Sequence, residues 1–305
     1  MQQNPVKPHA AVLAANLFFG MNFSAVQYMT SHHMSAFAIN VTRVAVSTAL
    51  FWLLLFFYPI AQWGIRKSDW PRLMACALTG VVINQLLFVK GLSMTLSIHA
   101  ALLILVTPIF IHIAAIVLGQ EKFTWRIAIG VGLGIGGATI LALSKERSSQ
   151  SAEQIWLGDL YIIINAISYA FYFAWVKPLM HRYSPVHVIR WLFTLGLPFM
   201  IFFGGSDFCQ VRFEDFQWKD WSILTLIVVG ATFFAYLFNI YGIKTLGAGK
   251  TGMYIYTQPV FALLIGVLIL GEKITLTTLI AALIIITGVG FVTLRSGKEI
   301  RPPKE

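Results

Sequence analysis

Few groups in this chain are able to do chemistry, and most of them sit where polarity is expensive. Arg43 lies about eight residues into the apolar stretch 36–58, and an arginine at the centre of a spanning helix costs about 2.5–3.5 kcal/mol on insertion scales. A group kept at that cost is a functional candidate: either it contacts a solute or a gate, or it snorkels and braces its helix. Lys90 ends the segment NQLLFVKGL, with Asn84 and Gln85 within two turns of it. The three form a polar wall, or Lys90 is an interfacial anchor. Arg190, near the start of 187–203, is interfacial or the counterpart of Arg43 at the other end of a central cavity. Tyr161, Asn165, Ser168 and Tyr172 fall at i, i+4, i+7 and i+11 and share one helix face. Lipid cannot satisfy such a stripe, so it faces a cavity or another helix. Asn22 aligns with Tyr172 in the other half of the chain, and Tyr254 and Tyr256 add aromatic surface just before Pro259. Arg43, Lys90 and Arg190 have no certain acidic partner within the apolar stretches, and their field favours an anionic or zwitterionic solute. The expected chemistry is recognition of a carboxylate. Its expected contacts are Asn22, Arg43, Asn84, Lys90, Asn165, Ser168, Tyr172 and Tyr254.

Bond-making chemistry finds little support. No carboxylate pair of the D-x-x-D kind, nucleophile elbow or metal-ligand spacing is present, so no enzyme, cofactor or metal is expected. His99 and His112 are 13 residues apart, about 20 Å along a helix, and cannot hold one metal together. Each reads as a core or cavity hydrogen-bonding group. Cys76 lies inside an apolar stretch and Cys209 in a polar connection, which suggests no disulfide. Glu121 and Glu272 precede helices, whose N-termini favour negative charge. Asp159, near the end of the stretch 156–177, reads as interfacial. The run Gly130, Gly132, Gly134, Gly136, Gly137 has neither a preceding strand nor a following Lys-Ser/Thr, and reads as helix packing rather than a phosphate loop.

The elements that must position these groups are membrane helices. Apolar residues make up 58% of the 305 and charged residues 11%, against about 25% charged in a soluble domain. Ten stretches approach the ~20 apolar residues that span a bilayer: 9–29, 36–58, 71–91, 96–118, 125–143, 156–177, 187–203, 219–242, 248–270 and 274–294. The seventh is short. No cleaved signal is evident, since the first stretch is one of ten and has no clear cleavage site after it. The chain also repeats itself. Gly91, Pro108, Phe110, Glu121, Lys122, Thr124 and Gly137 recur as Gly242, Pro259, Phe261, Glu272, Lys273, Thr275 and Gly288, at a constant offset of 151. The polar segment 144–154 divides the chain into units 1–143 and 155–305, five stretches each. Five is odd, so the second unit enters the membrane from the opposite face.

With the N-terminus in the cytoplasm, 14 basic residues fall on that side and 6 on the other. Both termini are therefore expected in the cytoplasm, and the net charge of +10 is an orientation signal rather than a nucleic-acid footprint. Pro108 and Pro259 lie mid-stretch and free the carbonyls of Ile104 and Ile255. At membrane depth those carbonyls need other partners, so each proline is a packing kink, or a hinge that lines a cavity.

These segments resemble the EamA branch of the drug/metabolite transporter superfamily. NLFFGMNFSAVQY (16–28) is similar to the family's W-G-x-N-F opening, with Phe19 where tryptophan usually stands. NVTR (40–43) resembles its arginine-bearing second span, and TPIF…LGQEKFTW (107–125) and QPVF…LGEKITL (258–276) its proline and Gly-Glu segments. The first copy departs with Gly-Gln-Glu where the second has Gly-Glu. The resemblance covers essentially the whole chain. It implies an all-α membrane protein of ten transmembrane helices as two inverted five-helix repeats, which exports or exchanges small metabolites, amino acids among them. The expectation is a secondary transporter, exporter or facilitator, of small carboxylate-bearing solutes in a bacterial inner membrane. It works by alternating access, with Pro108 and Pro259 as hinges and Arg190 at a gate. Multidrug or cation efflux is the alternative. It needs an embedded carboxylate, and Asp159 would revive it if it were both buried and titrating near neutrality. The partners are a small-molecule solute and the lipid bilayer, with no nucleic acid. The substrate and the oligomeric state are not legible.

Overall fold

In lipid a peptide group must bond within its own segment, and the apolar stretches accordingly fold as helix. The computed structural model describes residues 6–54, 57, 64–119, 124–142, 152–265 and 275–293. Among these are ten helical segments and no strand: α1 Val6–His32, α2 Ala36–Leu53, α3 Lys67–Leu92, α4 97–117, α5 Trp125–Ala142, α6 Ala152–Arg182, α7 Pro185–Cys209, α8 Trp218–Leu246, α9 248–265 and α10 Leu276–Thr293. Seven of them, α1 to α4 and α6 to α8, are long and apolar enough to cross a membrane. Shorter apolar stretches, Ala128–Gly137 and Leu279–Gly288, lie in α5 and α10. Glu121, Glu272 and the linker residues 144–151 lie outside the described residues.

The same cap starts two of the helices. Ser35 Oγ accepts from the Ala38 amide at 3.1 Å to start α2, and Ser184 Oγ from the His187 amide at 3.3 Å to start α7. Each cap satisfies an orphan amide of the first turn.

Packing is between the halves more than within them. α1 lies against α8 and α9, and α6 lies against α3 and α4; α2 pairs with α7, and α5 with α10. The first helix of each half is thus exchanged onto the other. Repeated glycines mark the crossings. A Cβ on Gly91 of α3 would sit 2.9 Å from the Gly158 carbonyl of α6, and one on Gly242 of α8 would strike Val12 of α1. A Cβ on Gly137 of α5 would meet Ile285 of α10 at 2.5 Å, and one on Gly288 would meet Leu133 of α5 at 2.8 Å. The residues in contact show that α2 runs antiparallel to α7, and α5 to α10.

A second repeated device is absent from the motifs read above. Asp69 and Asp220, 151 apart and each followed by a tryptophan, open α3 and α8. Both are buried. Asp69 accepts from Arg182 Nη1 at 2.6 Å and Tyr183 Oη at 2.8 Å, at the end of α6. Asp220 accepts from Tyr28 Oη at 3.0 Å, with His33 Nε2 at 3.1 Å, at the end of α1. Each carboxylate pins the exchanged first helix of one half to the third helix of the other.

Two expectations need correction. The seventh stretch, expected to end at 203 with Cys209 in the polar connection beyond it, is helical as far as Cys209. Gly204 is in close contact with α2, where a Cβ would sit 2.7 Å from the Phe37 carbonyl, so this glycine serves packing rather than a turn. Within α5, Gly134 approaches Ile109 of α4, whereas a Cβ on Gly132 or Gly136 would meet nothing within 4 Å. Among the described residues that pair makes no helix contact.

Candidate functional site

The helix interiors depart from regular geometry in matched places. α3 carries a π-helical turn at Leu78–Val82 and α8 one at Leu226–Phe234. The turn before Pro108, Ile104–Val106, is 3-10, as is Tyr254–Thr257 before Pro259. π-turns often accompany functional sites. Here the two 3-10 turns contribute lining residues to one cavity between the halves, and Asn84 and Gln85 of α3 and Tyr236 of α8, which also line it, follow the π-turns closely. The two isoleucines whose carbonyls the prolines release, Ile104 and Ile255, line it symmetrically.

Its polar wall is Asn22 of α1, Arg43 of α2, Asn84 and Gln85 of α3, Thr107 of α4, Asn165 of α6 and Gln258 of α9. The rings of Phe19, Phe23, Phe88, Tyr169 and Tyr236 complete it. Arg43 is 2% exposed. Its Nε donates to Thr232 Oγ1 of α8 at 2.8 Å, and that hydroxyl donates in turn to the Ile227 carbonyl inside the π-turn at 2.7 Å. Tyr236 Oη donates to Asn84 Oδ1 at 3.0 Å, and Asn165 Nδ2 to the Asn84 carbonyl at 2.6 Å. Gln258 Nε2 donates to Asn16 Oδ1 at 2.7 Å. Five other polar atoms of the wall are buried and find no hydrogen-bond partner among the described residues: Arg43 Nη1, Asn22 Oδ1, Gln85 Oε1, Asn165 Oδ1 and Thr107 Oγ1. Buried polar groups are ordinarily satisfied, so a cluster left open in a cavity marks a place for a polar guest. Arg43 is the one charged side chain among the lining residues.

Four of the eight expected solute contacts therefore come together: Asn22, Arg43, Asn84 and Asn165. The other four do not line the cavity. Ser168 Oγ donates to the Thr79 carbonyl at 2.8 Å, and the Tyr172 ring fills the space that a Cβ on Gly80 would need. That end of the stripe is glue between α6 and α3, because α3 approaches α6 closely there. Lys90 sits half-buried in the last turn of α3. Tyr254 Oη is 2.6 Å from His9 Nδ1 on the first turns of α1. Arg190 is buried between α7 and the end of α2, 4.5 Å over the Trp52 ring and with Nη2 2.9 Å from His187 Nδ1. It braces that pair rather than facing the cavity. Asp159 is 2% exposed and accepts at 2.5 Å from Oγ1 of Thr95, in the turn between α3 and α4, with His99 Nδ1 3.4 Å away.

Some lining residues were legible and overlooked. Thr107 and Gln258 each precede a repeated proline, and Tyr236 stands 151 residues after Gln85. Phe23, Phe88 and Tyr169 carry no signal that separates them from core aromatics.

A bundle of membrane-length apolar helices, with a cavity between two repeated units that is lined by buried polar side chains, points to a solute carrier. The model of the EamA-like transporter family matches residues 7–143 and 156–294, and the chain belongs to that family. An uncharacterized transporter of Archaeoglobus fulgidus is 24% identical over 273 residues, covering 89% of this chain and 93% of that protein. The uncharacterized transporter YyaM of Bacillus subtilis is 22% identical, over 96% and 94%. A probable terminal-alkyne amino-acid exporter of Streptantibioticus cattleyicolor is 28% identical over 45% of this chain and 44% of its own. One solved crystal structure, 16% identical, superposes with a TM-score of 0.61 over 94% of this chain and 97% of its own, which shows the shared fold. The protein is an integral membrane transporter of small molecules, and its family and relatives are transporters rather than enzymes.

Proposed function

We propose that this transporter carries small carboxylate-bearing solutes, with amino acids as the leading case, through the cavity between its halves. The carrying observation is the buried Arg43 guanidinium, fixed through Nε and with Nη1 open toward the cavity. An arginine fork with a free edge is built for a carboxylate, and no acidic residue lines the cavity beside it. The name of the Streptantibioticus relative adds support for an amino-acid substrate. Ten transmembrane helices in two inverted units, both termini cytoplasmic, in a bacterial inner membrane complete the reading. The antiparallel course of α2 with α7 and of α5 with α10 supports the inversion. Transport proceeds by alternating access, with the 3-10 turns before Pro108 and Pro259 as hinges. Export or facilitated exchange is the direction proposed.

The buried Asp159 favours a second reading, cation efflux, since that chemistry needs an embedded carboxylate. Proteoliposomes loaded with labelled amino acids, organic acids and cationic dyes separate the two. Transport of the acids, lost in Arg43→Gln, supports the first reading. Movement of dyes alone, lost in Asp159→Asn, overturns it.

A further inference from the structure

The unpartnered atoms of the cavity are not all of one kind. Arg43 Nη1 is a donor. Asn22 Oδ1, Gln85 Oε1 and Asn165 Oδ1 are acceptors, and their residues are each 1% exposed. Asn165 is held in this sense, because its Nδ2 is committed to the Asn84 carbonyl. A carboxylate satisfies the guanidinium but brings no donor, so three amide oxygens would remain open in a low-dielectric space, and each would cost free energy. A hydroxyl brings one donor. An ammonium group brings three and no acceptor, which matches the three open amide oxygens; the fourth open oxygen, Thr107 Oγ1, is a hydroxyl able to donate to the solute carboxylate as well as accept.

We infer that Asn22, Gln85 and Asn165 form an ammonium subsite, so that this cavity selects neutral zwitterions, amino acids with apolar side chains, over simple carboxylic acids. This inference rests on the proposed carboxylate role of Arg43. Neutral amides, rather than a carboxylate, suit the task. An aspartate beside Arg43 would form an internal ion pair and close the site, whereas amide oxygens accept from an ammonium without competing for the guanidinium. The remaining wall is made of rings and of Ile104 and Ile255, an apolar surface for the side chain. Among the described residues no second charged group lines the cavity to hold the extra carboxylate of a dicarboxylic amino acid or the extra ammonium of a dibasic one.

The test is competition binding to the purified protein in nanodiscs with four probes: L-leucine, its deaminated analogue 4-methylpentanoate, its decarboxylated analogue 3-methylbutylamine, and L-glutamate. The expected result is leucine binding at least tenfold tighter than any of the other three. In Gln85→Leu and Asn22→Leu, each of which removes the amide oxygen, the gap between leucine and 4-methylpentanoate should shrink several-fold. The affinity of 4-methylpentanoate itself should hold or rise. If 4-methylpentanoate binds wild type as well as leucine does, the subsite is wrong while the carboxylate reading stands. If 3-methylbutylamine binds best and Arg43→Gln leaves it unchanged, the carboxylate reading falls as well. If glutamate outcompetes leucine, or no leucine-series probe binds, the assignment to apolar amino acids is overturned.

Discussion

At the scale of single residues, the site is a set of hydrogen bonds with some partners missing. Arg43 is oriented by Thr232, which the π-turn of α8 orients in turn. Thr232→Val should therefore leave the charge in place but let the guanidinium swing. A charge-assisted hydrogen bond contributes about 1.5–3 kcal/mol, so solute KM should rise roughly tenfold in a transport assay. A smaller change than in Arg43→Gln is expected, because the charge remains. Tyr236→Phe removes the donor to Asn84 Oδ1 and leaves a buried acceptor open, at a cost of about 1–3 kcal/mol. A shift in thermal midpoint by scanning fluorimetry checks it. Four cavity-lining residues, Asn22, Arg43, Asn84 and Asn165, were legible because polar groups are costly in apolar sequence. Ser168 and Tyr172 were misread for a physical reason. Periodicity places them on one face of α6, but only the approach of α3 at Gly80 decides what covers that face.

At the scale of elements, the repeat carried most of the information. The glycines at 91 and 242 and at 137 and 288 fall at helix crossings, and both prolines follow a tightened turn on the cavity wall. The length of α7 was not legible, since Gly204 looks like a breaker until the Phe37 carbonyl is seen beside it. The paired corners at Asp69 and Asp220 were also missed. Their partners, Arg182 and Tyr183, or Tyr28 and His33, are not spaced alike in sequence, although they do equivalent work. Asp69→Asn and Asp220→Asn should each destabilise the protein by about 1–3 kcal/mol. Thermal unfolding in detergent is the check. Gly242→Leu should abolish the folded protein, as the side chain cannot be accommodated against Val12 of α1.

At the scale of the molecule, the exchange of α1 and α6 between the halves means that no repeat folds its core alone. Each cavity wall is drawn from both units, and a shift of one against the other reshapes it. The proposed orientation places the end of α7 outside the cell. Cys209 is exposed there and Cys76 is buried, so a membrane-impermeant maleimide should label intact cells at Cys209 alone. Labelling only after permeabilisation would reverse the topology. The central claim is that a solute carboxylate binds the buried guanidinium of Arg43. The most direct test is uptake of labelled apolar amino acids into proteoliposomes holding wild type or Arg43→Gln, with equal insertion of both. The account predicts saturable uptake by wild type and at least tenfold lower uptake at low solute concentration in the variant. Equal uptake by the two proteins would contradict it.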